Sequence, residues 1–147
     1  MSNRVTDIPN LVHCWKFNNL YLAGQPGEGA FKELSERGVK KIINIRSNGE
    51  ADFSKDKEKV EALGMEYHHI PVLEDGKLQE KAIADISSKI DESDIVVHCG
   101  SANRVAGWLI VHLARNGHSF DQAVKIAQDN GLSNPGFIEQ AEDILNS

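Results

Sequence analysis

Asp94-Ile95-Val96-Val97-His98-Cys99-Gly100-Ser101-Ala102-Asn103-Arg104-Val105 decides the reading of this chain. Asp94 to His98 is a nearly continuous apolar run, the pattern of a central strand covered on both faces. Small and polar residues follow for four positions. Val105, Trp108, Leu109 and His112 then share one face of a helix that Gly117 closes. A cysteine therefore stands where a buried strand turns into a helix N-terminus. N–H groups and the helix dipole favour an anion there and stabilise a thiolate, the nucleophilic form of the side chain. Gly100, Ser101 and Ala102 are small enough for backbone N–H groups to approach a bound oxyanion, and Asn103 completes that loop. Arg104 adds a planar fork able to hold two oxygens of one tetrahedral anion.

The rest of the chain alternates strand and helix signals. Leu20 to Ala23 reads as a short strand, and Gly24 to Gly29 as the loop leading to a helix carrying Ala30, Phe31 and Leu34. Val39 to Ile45 is a second strand. Ser54 caps a helix running to Leu63, and Met65 to Val72 is a third strand ended by the Glu74-Asp75-Gly76 turn. Ile83, Ile86 and Ile90 stripe another helix. After the cysteine segment, Ser119 to Gln122 forms a capping box, and Asn134-Pro135 opens a last helix. The expected fold is α/β and three-layered: a central, mostly parallel sheet of four or five strands with helices on both faces. In such sheets ligands lie beyond the carboxyl ends of the strands, which again points at Cys99.

Composition agrees with one soluble domain over residues 1–147. The chain is 40% hydrophobic and 26% charged, with a net charge of −6. It lacks the broad basic face of a nucleic-acid binder, the cationic helix of a membrane-surface binder and the long apolar run of a bilayer span. No apolar signal core occupies residues 1–9, so a cytoplasmic protein is expected. The two cysteines are expected as free thiols. Cys14, between His13 and Trp15, has no anion-loop context and reads as a structural thiol. Histidine and carboxylate spacings give no metal site, and no cofactor is implied. His68 and His69 point to opposite faces of a strand, and His112 reads as a core histidine. Arg46 either lines the pocket or pairs with a carboxylate such as Glu50. Oligomeric state is not legible.

Taken together, Leu22-Ala23-Gly24-Gln25-Pro26, Ile43-Asn44-Ile45-Arg46 with Glu50, Tyr67 to Val72 and Val96-Val97-His98-Cys99 carry a resemblance. The chain resembles the cysteine-dependent protein tyrosine phosphatase superfamily. Within it, it is similar to the small bacterial phosphatase-like proteins related to beta-lactamase-hydrolase-like proteins. The resemblance implies metal-independent hydrolysis of a phosphate monoester, phosphotyrosine-like or other, through a phosphocysteine. Cys99 would be the nucleophile, Arg104 the phosphate-binding arginine, and His98 the neighbour that helps hold the thiolate. The general acid would follow the Tyr67–Val72 strand. Glu74 and Asp75 both stand there, and Asp75 is favoured for its short side chain beside Gly76.

The chain departs from the usual pattern in two ways. Four residues rather than five separate Cys99 from Arg104, with Gly100 directly after the cysteine. Val105 stands where Ser or Thr often follows the arginine. The beta-lactamase-hydrolase-like branch shares the short loop. So do rhodanese-type sulfurtransferases, which makes a persulfide-carrying Cys99 the alternative. A phosphate-binding module without turnover is a third reading. Phosphorylated proteins or small monoesters rank above inositol phospholipids as partners, because Gly100 to Asn103 carries no cation.

Overall fold

A computed structural model describes residues 3–147. In chain order the elements are β1 (Cys14–Phe17), β2 (Leu20–Ala23), α1 (Ala30–Glu36), β3 (Val39–Asn44), α2 (Ser54–Ala62), β4 (Glu66–His69), β5 (Leu73–Glu74), β6 (Lys77–Leu78), α3 (Glu80–Ser88), β7 (Asp94–His98), α4 (Asn103–Arg115), α5 (Phe120–Asp129) and α6 (Gly136–Leu145). Five strands form one sheet in the order β1-β2-β7-β3-β4, and β5 and β6 make a separate small hairpin. Strands β2, β7, β3 and β4 run parallel, while β1 returns antiparallel on the edge beside β2. The expected three-layer α/β architecture is therefore present.

The alternation of β7 builds both layers at once. Ile95, Val97 and Cys99 face a core formed with α3, α4, α5 and α6. Val96 faces the other core, with Tyr21 and Ile42 of the sheet, Phe31 and Leu34 of α1, and Val60 of α2. A strand paired on both edges and covered on both faces has no polar position to spare, which explains its unbroken apolar run. Helix α4 is the most deeply buried helix: Val105 to Val111 are all buried. Its Trp108 donates from the indole N–H to Ser87 Oγ at 3.1 Å, and His112 meets the same hydroxyl at 2.9 Å. His112 is thus a core histidine with a partner.

The parallel register brings four strand ends level. Ala23, His98 and Asn44 are neighbours, and Asn44 in turn pairs with His69. Whatever follows these four residues lies along one edge of the sheet.

Several boundaries differ from the sequence reading. The edge strand β1 was not expected, since Cys14 to Phe17 contains Lys16 and only half-buried neighbours. Ser54 is the first residue of α2 rather than its cap; Asp52 Oδ1 accepts from the Ser54 N–H at 2.9 Å instead. Strand β4 stops at His69, before Pro71, which has no N–H for a ladder. Lys77 lies in β6, and α3 begins at Glu80 and ends at Ser88, before Ile90 of the expected stripe. The capping box of α5 is complete: the Gln122 N–H donates to Ser119 Oγ, and Gln122 Oε1 accepts from the Ser119 N–H.

Gly131 locks the edge strand to the helical layer. Its φ is +107°, and a Cβ there would lie 2.8 Å from Trp15 ring atoms. Gly117 has a similar φ of +103° but open space around it. Gly117→Ala should cost about 1 kcal/mol, from backbone strain alone. Gly131→Ala should cost at least about 1 kcal/mol more, because Trp15 must move. Urea midpoints of the two variants check this; equal costs would show that Trp15 yields freely.

Candidate active site

Cys99 follows directly from β7, its N–H donating to the Ala23 carbonyl at 3.0 Å. Its side chain is fully buried. The Ala102 N–H donates to Cys99 Sγ at 3.1 Å, so one backbone dipole of the turn points at the sulfur. Ala102 achieves this with a φ of +78°, in the left-handed region that glycine adopts most easily. The left-handed turn of the loop is thus built on Ala102, three positions after the cysteine, rather than on Gly100. Gly100 has another use: a Cβ on it would lie 3.2 Å from Arg104 Nη2, so its bareness lets the guanidinium fold back over the loop.

The loop is braced from both sides. On one side, Gln25 N–H donates to the Gly100 carbonyl at 3.1 Å, and Gly24 bridges to Ser101. A Cβ on Gly24 would stand 2.7 Å from the Gly100 oxygen, so only glycine permits the approach. On the other side, Asn103 Oδ1 accepts from the N–H groups of Ser133 and Asn134, each at 2.8 Å, and its Nδ2 donates to Ser133 Oγ at 3.0 Å. The Asn103 side chain thereby fastens the start of α4 to the α5–α6 connection. Ser101 is exposed and the Val105 side chain lies in the core. The backbone of Ala102, rather than a hydroxyl, is what reaches the sulfur.

Arg104 reaches across to Glu50. Its Nη1 bonds Glu50 Oε1 and its Nη2 bonds Oε2 at 3.2 Å. Glu50 also accepts from Arg46 Nε at 3.0 Å and from the Ser47 N–H at 2.7 Å. The Arg104 guanidinium holds the Glu50 carboxyl down at about 2, with the Ser47 and Arg46 bonds adding to the effect. Arg46 therefore pairs with Glu50 and also faces the site: its Nη1 donates to Gln25 Oε1 at 2.8 Å. Gln25 Nε2 in turn donates to Asp56 Oδ2 at 2.9 Å. Burial pushes the half-buried Asp56 carboxyl up, against the pull of Gln25, Lys59 and Arg46. Gln25 and Asp56 were not singled out from the sequence. The tight Gly24-Gln25-Pro26 turn is the signal that could have found Gln25, read there as a turn and nothing more.

His98 is placed differently from its expected part. Its ring Nδ1 lies 3.5 Å from the Cys99 carbonyl oxygen, not on the sulfur, and Nε2 is buried with no partner among the described residues. Burial pushes its pKa down to about 3, so the imidazole is neutral and brings no positive charge to a thiolate. Cys14 is likewise buried, and burial pushes its thiol up to about 12, which suits a structural thiol. Both cysteines are free. Glu74 lies in β5 and Asp75 at the tip of the β5–β6 hairpin with a φ of +52°. Both are exposed, and neither bonds the Cys99 loop among the described residues. The hairpin is pinned by Gln140, which accepts from the Leu78 N–H at 2.7 Å and donates to the Gly76 carbonyl at 3.0 Å. Among the described residues no group of three His, Cys, Asp or Glu is placed to hold a metal ion. None of the helices there is long and apolar enough to cross a membrane.

A buried thiol thus follows the central strand, an arginine stands five positions on in the first turn of α4, and the ends of four parallel strands lie behind them. The fold is that of the protein tyrosine phosphatase-like phosphatases. A candidate phosphatase (DUF442) of Shewanella putrefaciens CN-32 superposes with a TM-score of 0.69 over 95% of this chain and 88% of that one, at 22% identity. A candidate phosphatase of Neisseria meningitidis z2491 gives 0.70 over 85% and 92%, at 21% identity. P. aeruginosa TpbA, solved in complex with pTyr, gives 0.71 over 95% and 85%, at 12% identity. In sequence, the chain is 32% identical over 104 residues to a beta-lactamase hydrolase-like protein of Agrobacterium fabrum, covering 67% of this chain and 24% of that one. The chain thus spans about a quarter of the length of that curated relative. No protein-family model matches.

Two measurements test this geometry. Ala102→Gly should relieve the left-handed strain and raise stability by about 1 kcal/mol, read as a higher urea midpoint. An unchanged or lower midpoint would mean that the loop holds Ala102 without strain. His98 makes stability depend on pH. Unfolded, it takes up a proton near its ordinary 6.5; folded, it resists protonation down to about 3. Its contribution is whole above 6.5 and is lost as pH falls towards 3, with a slope of at most about 1.4 kcal/mol per pH unit. His98→Asn should flatten the stability profile over that window. An unaltered profile would show that His98 is not the group responsible.

Proposed function

We propose that the chain is a cysteine-based phosphatase that hydrolyses phosphate monoesters without a metal. The observation that carries this reading is the Cys99 sulfur seated under the Ala102 N–H, with Arg104 in the first turn of the helix that follows. The phosphatase neighbours of the fold support it.

Cys99 thiolate attacks phosphorus in line with the ester bond. The S–P bond forms and the P–O bond to the leaving group breaks. Loop N–H groups from Gly100 to Asn103, with the Arg104 fork, hold the three equatorial oxygens as charge spreads over them. Asp75, with Glu74 beside it, gives a proton to the departing oxygen. The exposed hairpin tip and the positive φ of Asp75 suit a segment that meets substrate from outside the loop. Water then attacks the phosphocysteine, breaking S–P, releasing inorganic phosphate and returning the thiolate. His98 acts by packing beneath the turn, and Arg46 by holding Glu50. Residues 1–147 act as one catalytic unit on a phosphorylated protein or small monoester.

The four-residue spacing of Cys99 and Arg104 favours sulfur transfer as the second reading, so one experiment must address both. Purified protein is assayed with p-nitrophenyl phosphate and, separately, with thiosulfate plus cyanide. Phosphate release, abolished in Cys99→Ser, is expected; thiocyanate production without phosphate release would establish the sulfurtransferase instead. Arg104→Lys should lower kcat/KM by roughly 10²-fold or more, since a point charge cannot make the two-oxygen contact. Asp75→Asn should slow phenyl phosphate by about 10²-fold and p-nitrophenyl phosphate far less, because a good leaving group needs no proton. If neither Asp75→Asn nor Glu74→Gln alters the dependence on leaving group, the hairpin does not supply the acid.

A further inference from the structure

A cavity of about 500 Å³ opens directly beside the Cys99 loop. Ser101 of the loop and Asn103 at the start of α4 form one wall, Trp15 of β1 and His13 just before it form another, and the end of α5 with the α5–α6 connection supplies Gln128, Asp129 and Leu132. Arg4 stands at its margin, with its guanidinium carbon 5.2 Å from the Trp15 ring centre and Nη2 donating to the Val12 carbonyl at 2.9 Å. The His13 and Trp15 rings lie nearly parallel, 6.3 Å between centres. A phosphoryl group held by the loop carries its organic part away from the loop, and this cavity shares two residues with it.

The chemistry of the walls is selective. Ser101, Gln128 and Asp129 offer a hydroxyl, an amide and a carboxylate, and Asp129 makes no ion pair among the described residues. An aromatic ester group placed here would meet the Trp15 and His13 rings but would leave the hydroxyl, amide and carboxylate without a ligand partner. A group rich in hydroxyls would pair with them, donating to the carboxylate and both donating to and accepting from the amide. Its C–H surfaces would meet the Trp15 and Leu132 side chains. A second phosphate would face the Asp129 carboxylate, the only carboxylate on the cavity wall among the described residues.

We propose that this cavity is the subsite for the organic part of the substrate, and that the substrate is a singly phosphorylated, hydroxyl-rich monoester, a sugar phosphate in chemical class. The proposal rests on the phosphatase reading above. Trp15, Gln128 and Asp129 are then the residues that set specificity, on elements far apart in sequence.

The test compares kcat/KM for a panel of hexose and pentose monophosphates with that for phosphotyrosine, after p-nitrophenyl phosphate has established turnover. At least one sugar phosphate should exceed phosphotyrosine by about tenfold or more. Asp129→Asn should raise KM for that sugar phosphate about tenfold more than it raises KM for p-nitrophenyl phosphate, with little change in kcat. Phosphotyrosine equal to or better than every sugar phosphate overturns the proposal and leaves the phosphatase intact, as does an equal rise in both KM values. If no phosphate ester is turned over, the phosphatase reading fails by itself. Calorimetry of the same panel with the Cys99→Ser protein then decides the cavity: binding that Asp129→Asn weakens supports it, and no binding overturns it.

Discussion

The site depends on one turn. The chain passes from the buried strand β7 to the buried helix α4 across four residues, and both ends are fixed by packing that leaves no slack. A helix start carries N–H groups without intrahelical partners, and buried ones must be met by something. Here the Ala102 N–H is met by Cys99 Sγ. The φ of +78° at Ala102 is the conformational cost of aiming it there, of the order of 1 kcal/mol for a residue with a Cβ. Strain of that size persists only where the surroundings over-determine it. Gln25 from one side and the Asn103 side chain from the other supply that constraint.

Those braces explain sequence features that look unrelated when read along the chain. Gly24 is bare because the Gly100 carbonyl lies where its Cβ would be. Ser133 and Asn134 precede α6, yet their N–H groups serve α4 through Asn103. Gly131 is bare because Trp15 of the edge strand packs on it, and Trp15 also walls the cavity beside the loop. The parallel register makes this convergence possible, since it sets the ends of β2, β7, β3 and β4 along one line.

The parts legible in the sequence were those whose physics is local. An apolar run covered on both faces marks β7, a glycine after a periodic segment ends α4, and Ser119 with Gln122 opens α5. Cys99 and Arg104 were legible for the same reason, with only four residues between them on a strand-to-helix turn. The parts not legible require partners distant in the chain. Glu50 meets Arg104 across 54 positions, and Gln25 meets Asp56 across 31. The strand β1 is held by pairing with β2 and by Gly131 rather than by its own pattern. Nor does local sequence reveal that His98 is sealed off and neutral; that follows from its full burial at the end of the central strand β7.

The charge arrangement at the loop has a consequence of its own. Glu50 stands between two guanidiniums, those of Arg46 and Arg104, and stays ionised far below neutral pH. It keeps the half-buried Arg104 fork paired and its charge compensated. In the phosphatase proposed above, a phosphoryl dianion would compete for that fork. When Arg104 turns to it, Glu50 is not stranded, because Arg46 and the Ser47 N–H still hold it. Arg46 is itself anchored by Gln25, whose backbone N–H grips the Cys99 loop at Gly100. In that proposal the exchange of one anion for another would take place on a fixed frame: Arg104 would change partner while Gln25 and Asn103 still brace the loop. A carboxylate in this position aligns the arginine beforehand, so the entropy of ordering a long side chain is met in folding rather than in binding.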